Sequence, residues 1–162
     1  MSEKEKQKRF DQLMLRHKGL IVKVCQTYCH RDVELARDLY QDIAIEIWTH
    51  MDSFRQESAE STWLWRIAVN TAIDQLRKKE RRPDLVLHAE LPETATEEKS
   101  RRVDDLYEAI AHLKAEDQML VNARLEDRSY HDIADLTGES EVTLRVRYNR
   151  IVKQLKQKLK GK

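Results

Sequence analysis

The chain is poor in everything that interrupts or crosslinks a helix. Its 162 residues include only three glycines and two prolines. No stretch alternates β-branched with polar residues as a half-buried strand would, so an almost wholly helical protein is expected. No apolar run approaches the roughly 18 residues needed to span a bilayer. The opening MSEKEKQKRF has no apolar stretch of the kind a secretion signal needs, which points to a cytoplasmic protein. Two cysteines, Cys25 and Cys29, stand one helical turn apart. Alone they are too few to ligate a metal, and the histidines show no ligand spacing, so core or half-buried thiols are expected and neither a metal nor a cofactor. There is no glycine-rich phosphate loop, no serine elbow and no HExxH, so the sequence does not suggest an enzyme.

Charge is abundant but segregated. Acidic and basic residues nearly balance, at a net +1 over 36% charged residues. The stretch from Asp32 to Glu60 is nevertheless strongly acidic, opposed only by Arg37 and Arg55. From Val142 to Lys162 there is no acid at all, against Arg145, Arg147, Arg150, Lys153, Lys156, Lys158, Lys160 and Lys162. Surfaces of opposite sign imply two partners of opposite sign.

Apolar spacing places a first amphipathic helix through Phe10, Leu13, Met14, His17, Ile21, Val24 and Tyr28, with Gly19 tolerated or marking a bend. A second helix is expected from about Asp32 to Met51 on the stripe Leu35, Leu39, Ile43 and Ile47. A third is expected from Ser61 or Thr62 to Arg82, where Pro83 stops it. Residues 84–104 are acidic and hold few large apolar groups after Leu91, and they read as a flexible linker. The expected architecture is all-α: a helical domain over 1–83, the linker over 84–104, and a second helical domain over 105–162.

That second domain ends in a helix-turn-helix pattern. Ser129 can cap a short helix bearing Ile133, Ala134 and Leu136. Gly138 stands where the turn needs a positive φ, and Ser140 can cap the long basic helix that follows. At about 100° per residue, Leu144, Tyr148, Ile151, Val152, Leu155 and Leu159 share its core side. The other side carries Val142, Thr143, Val146, Arg147, Arg150, Lys153 and Gln154. Two valines on a polar side suit thymine methyl groups, beside arginines suited to guanine or phosphate.

Two further constellations lie upstream. Along residues 63–78, Leu64, Trp65, Ala68, Val69, Ala72, Ile73 and Leu76 form a buried arc, while Trp63, Arg66, Asn70, Asp74 and Arg77 form the opposite one. An indole beside an amide and a guanidinium makes a platform for an unpaired base. Phe54 is a second candidate ring, and the basic run Arg77, Lys78, Lys79, Arg81 and Arg82 would hold phosphates. On the acidic helix, Asp38, Asp42 and Glu46 or Ile45 recur on one face. Like charges at this spacing disfavour a helix by some tenths of a kcal/mol, which suits a basic partner, with Gln41 and Trp48 as further contacts. A merely solvated acidic face is the plain alternative.

The stretches ARDLYQDIAIEIW (36–48), MDSFRQESAESTWLWRIAVNTAIDQLRKKERR (51–82) and DRSYHDIADLTGESEVTLRVRYNRIVKQLK (127–156) together resemble the extracytoplasmic-function (group IV) sigma factors of bacterial RNA polymerase. The resemblance implies that Asp38, Gln41, Asp42 and Trp48 dock on the β′ clamp helices of the polymerase core. It implies that Phe54, Trp63, Arg66 and Asn70 melt the −10 element and capture a flipped base, with Arg77 and the basic end beside duplex phosphates. Thr143, Arg145, Arg147 and Arg150, joined by Val142 and Val146, would read the −35 element. The second domain would meet the β flap, the linker would follow the RNA exit path, and an anti-sigma factor would be a partner. The chain departs from the family's wording at Glu139, where an apolar residue is usual, and at Val142, where a small one is common. A dimeric duplex-binding regulator would share the C-terminal domain but would have no use for the arc from Trp63 to Asn70, and a bundle that binds only protein is a third alternative.

Overall fold

A computed structural model describes residues 2–30, 32–55, 59–81 and 98–161, with side chains omitted at 79–81 and 98–100. Among the described residues there are eight α-helices and no strand. The chain divides into two compact units, Met1–Glu90 and Leu91–Lys162.

In the first unit, α1 (Glu3–Arg16) begins with a capping box. Ser2 Oγ accepts the Glu5 amide at 3.2 Å, and the Glu5 carboxylate accepts the Ser2 amide. The amphipathic run expected as one helix is two, because the helix breaks at His17 and resumes as α2 (Lys18–Tyr28). Gly19 does not make the break, since it sits inside α2 with open space where a Cβ would be. The break lies where Arg16 and His17 both turn their side chains to one carboxylate, Glu60. Asp32 then caps α3 (Val33–His50) by accepting the Leu35 amide at 3.0 Å, and a 3₁₀ turn, Met51–Ser53, leads on towards α4 (Glu60–Arg81).

Helices α2, α3 and α4 pack on one another around Ile21, Val24, Leu39, Ile43, Ile47, Leu64, Trp65, Ala68 and Ala72. Each fully buried large side chain contributes about 1.5–3 kcal/mol. The whole arc expected to face inward on α4, from Leu64 to Leu76, is buried. Cys25 and Cys29 are buried thiols outside any disulfide, Cys29 donating to Gln75 Oε1 at 3.6 Å, and burial pushes the Cys25 thiol up to about 11, so it stays protonated and unreactive.

The second unit comprises α5 (Glu98–Ala111), α6 (Ala115–Leu125), α7 (Tyr130–Thr137) and α8 (Glu141–Lys160). The stretch read as linker is thus helical from Glu98 onward, while its earlier part, with Pro83 and Arg82, lies outside the described residues. Helices α5, α6 and α7 all pack against α8, burying Ile110, Met119, Leu120, Ile133, Leu144, Ile151 and Leu155. Buried Gln118 closes the turn between α5 and α6 by donating to the carbonyls of Ala111 and Leu113 at 3.2 and 2.9 Å.

Candidate nucleic-acid interface

The helix-turn-helix forms as its residue types dictate. Ser129 Oγ accepts the Asp132 amide at 3.1 Å and starts α7. Gly138 ends it at φ 78° with its amide bonded to the Ala134 carbonyl at 2.8 Å. Ser140 Oγ accepts the Thr143 amide at 3.2 Å and starts α8. Leu144, Ile151 and Leu155 fix one side of α8 in the core. Val142 and Val146 stand 68% and 66% exposed on the other, and Thr143, Arg145 and Arg150 are exposed as well.

The arginines differ in how far they are committed. Arg145 lies over the Tyr130 ring, 4.9 Å from its centroid, and Arg124 lies over the same ring at 4.4 Å. Arg147 is the most engaged. Its Nη2 donates to Glu139 Oε1 at 2.8 Å, and its Nη1 lies 2.8 Å from Glu139 Oε2. The hydrogen bond to Glu139 raises the guanidinium's pKa and burial opposes it, with the charges of Glu139, Asp117 and Glu116 adding to the rise. Among the residues expected to face DNA, Arg147 is therefore already paired within the protein. A position absent from the sequence expectation, Asn149, is exposed on the same side as the two valines. The 100° wheel would have found it.

On α4 the two arcs separate as expected. Trp63 and Arg66 are half-buried, and Asn70, Asp74 and Arg77 are exposed. Phe54 is not a second, independent platform. Its ring lies against Trp63 with centroids 4.8 Å apart and planes at 35°. Asn70 opens onto a groove of about 410 Å³ between α3 and α4, where Asp42, Ile45, Glu46, His50 and Asp74 also line the wall. Three carboxylates, Asp42, Glu46 and Asp74, outnumber the one ammonium on its wall, Lys78, so it suits a base edge better than phosphate. Arg77 sits 3.8 Å from Asp74, and Lys78 is exposed. Lys79, Arg81 and Arg82, expected to extend the basic end, lie outside the described side chains.

On α3, Asp38, Gln41 and Asp42 are exposed together, and Ile45 joins them at 60% exposure. Trp48 is not turned outward with them. It is half-buried under α1, with the Phe10 ring nearly perpendicular at a centroid distance of 5.4 Å and Lys6 Nζ 4.4 Å from the indole centroid. Lys6 also reaches Asp52 at 3.2 Å. Contact of the indole with Phe10 and Lys6 of α1 explains why a ring with an outward-facing position on the wheel is covered.

Comparison with known proteins gives the family and the fold. The Sigma-70 region 2 family matches residues 13–82, and the Sigma-70, region 4 family matches residues 104–155. The ECF RNA polymerase sigma-E factor of Haemophilus influenzae is 30% identical over 169 residues, covering 94% of this chain and 88% of that protein. The RNA polymerase sigma-H factor of Pseudomonas aeruginosa is 38% identical over 74 residues, a stretch that spans 46% of this chain and only 38% of that protein. The fold is shared with the sigma factor RpoE of Bartonella quintana, solved with the anti-sigma factor NepR, at a TM-score of 0.69 and 24% identity over 94% of this chain and 98% of that one. The chain belongs to the ECF RNA polymerase sigma factors.

Proposed function

We propose that this protein directs bacterial RNA polymerase core to promoters by reading a −35 element with α8 and melting a −10 element with α4. The observation that carries the reading is a half-buried indole, Trp63, and an exposed amide, Asn70, two turns apart on one side of a helix whose other side is core. Stacking an unpaired base on such a ring contributes roughly 1–3 kcal/mol. That gain offsets part of the energy of opening the duplex, and grip from the polymerase supplies the rest, so melting needs no nucleotide hydrolysis. On this reading the chain is an initiation factor rather than a catalyst, and it works in the cytoplasm, where polymerase is. Among the described residues no helix is long and apolar enough to cross a membrane.

The roles divide by surface. Asp38, Gln41 and Asp42, with Ile45 as an apolar anchor, dock on the basic β′ clamp helices, and Trp48 supports that face from beneath. Phe54, Trp63, Arg66 and Asn70 handle the unpaired −10 strand, and Arg77 and its basic neighbours hold phosphate. Val142, Thr143, Arg145, Val146 and Arg150 face the −35 duplex, and the second unit also meets the β flap. Residues 1–83 and 105–162 are the two working domains, with 84–104 between them. An anti-sigma factor is the expected regulator. The Bartonella protein, whose fold this chain shares, was solved with one.

Run-off transcription with purified core polymerase on a promoter library tests the proposal. Promoter-specific transcripts that require this chain are the expected result. Duplex binding at palindromic sites in the absence of core, with no transcripts in its presence, would overturn it.

A further inference from the structure

We infer that Glu139 sets the sequence preference of α8 by holding Arg147 back from the bases, so that the helix reads A·T pairs through Val142, Val146 and Asn149 instead of guanine through Arg147. The inference rests on the −35 reading proposed above and deepens it.

Geometry carries the argument. An arginine reads guanine with two parallel N–H groups aimed at O6 and N7. A carboxylate that merely steadies such an arginine binds it from the side and leaves the terminal fork free. Here Nη2 donates to Glu139 Oε1 at 2.8 Å, and Nη1 lies 2.8 Å from Oε2. One of the donors that guanine would need is occupied, and the other is held beside the carboxylate. The Arg147 side chain is only 23% exposed, whereas the valines are about two-thirds exposed.

Glu139 cannot simply follow Arg147 into a groove. It comes directly after Gly138, whose positive φ shapes the turn, and its amide donates to Thr137 Oγ1 at 3.2 Å. The charges of Asp117 and Glu116, in the first turn of α6, add to the attraction that Glu139 exerts on the Arg147 guanidinium.

The centre of the outward side has one chemical bias, with the exposed Arg145 and Arg150 flanking it. At about 100° per residue, Val142, Val146, Asn149 and Lys153 share the side opposite Leu144, Ile151 and Leu155, and all four are exposed. Valine methyls suit the thymine C5 methyl, asparagine suits adenine N6 and N7, and lysine suits phosphate. None of these favours a G·C pair as an arginine fork does.

The test uses holoenzyme assembled from the full chain and core polymerase, binding duplexes randomised only across the −35 stretch. Wild type should select A·T pairs. Replacing the selected thymines by uracil should weaken binding about two- to fivefold, and Val142→Ala with Val146→Ala should abolish that difference. Arg147→Ala should select the same sequence as wild type. Glu139→Leu should gain about tenfold for guanine at one pair and show a salt dependence steeper by about one charge. Adding Arg147→Ala to Glu139→Leu should erase both gains. Glu139→Gln, which keeps one acceptor oxygen, should give a smaller gain and guards against misfolding of the leucine variant. Loss of a guanine preference in Arg147→Ala overturns the inference and leaves the −35 reading intact. An unchanged selection in both Glu139 variants, folded by thermal melting, also overturns it. Failure of wild type to select any sequence overturns the −35 reading and this inference together.

Discussion

The two units prepare for DNA in opposite ways. On α8 the two outward valines, Val142 and Val146, stand bare while Arg147 is tied down by Glu139. On α4 the ring that would hold a base already has a companion, because Phe54 covers Trp63 at 4.8 Å. A duplex arrives with its base edges already displayed, so a surface that reads it can be built in advance and kept rigid. An unpaired base arrives only after melting, and until then an exposed indole would be a sticky apolar patch. The Phe54 ring shields it at little energetic loss, and stacking on a base replaces one ring contact with another.

The sharpest way to break this comparison is to remove the rings singly. Trp63→Ala should lower open-complex yield about ten- to a hundredfold, following the roughly 1–3 kcal/mol of one stacked base, as read by permanganate reactivity of −10 thymines. Phe54→Ala should lower it far less. Equal losses would mean that the two rings act as one fixed platform. Asn70→Ala should reduce melting while leaving core affinity intact. Because Asn70 and Asp42 line one groove, an equal fall in core affinity would move Asn70 to the docking surface. Next in size, Asp42→Arg should weaken core association about tenfold in a competition titration. No change there would leave α3 with a merely solvated acidic face.

The sequence was most readable where one residue type has one use. Ser129, Gly138 and Ser140 can hardly serve in that order except as cap, turn and cap, and the structure has them in those roles. The buried arc of α4 followed from period alone, because a helix with seven apolar residues on one side has one way to fold inward. The misses came from long side chains whose partners are distant in sequence. Arg147 faces outward on a wheel until Glu139 bends it back, and Trp48 does until α1 covers it. The break at His17 has the same origin. Its partner, Glu60, lies 43 residues away, and of the two readings of Gly19, tolerated in the helix or marking a bend, the first holds.

The glycines divide along the same line. Gly138 needs its φ of 78°, and nothing lies within 4 Å of where a Cβ would be. Gly138→Ala therefore meets backbone strain alone and should destabilise the second unit by about 1 kcal/mol, seen as a fall of several degrees in its thermal midpoint. Gly19 lies inside a helix, also in open space, so Gly19→Ala should stabilise the first unit by roughly half a kcal/mol. Shifts of the same sign in calorimetry would remove the distinction between a required and a dispensable glycine.

The smallest expected effect concerns the latch that the first unit has at its helix break. Burial alone would raise the Glu60 carboxyl, but hydrogen bonds from His17, at 2.6 Å, and from Arg16 outweigh it and hold the group below its ordinary 4.5. A carboxyl depressed by folding stabilises the folded state above its unfolded value, and that contribution is lost as pH falls through the folded value. Glu60 is partly exposed, so the stabilisation should stay below about 1 kcal/mol. Wild type should melt slightly above Glu60→Gln at neutral pH, and the difference should shrink as pH falls below 4.5. The α8 pair between Glu139 and Arg147 supplies the contrast: Glu139→Gln should change the first unit's melting at no pH, so the acid-sensitive shift should be confined to Glu60→Gln. A difference between wild type and Glu60→Gln that persists unchanged into acid would mean that the carboxylate's charge does no work at the break, and that His17 bends the chain for steric reasons alone.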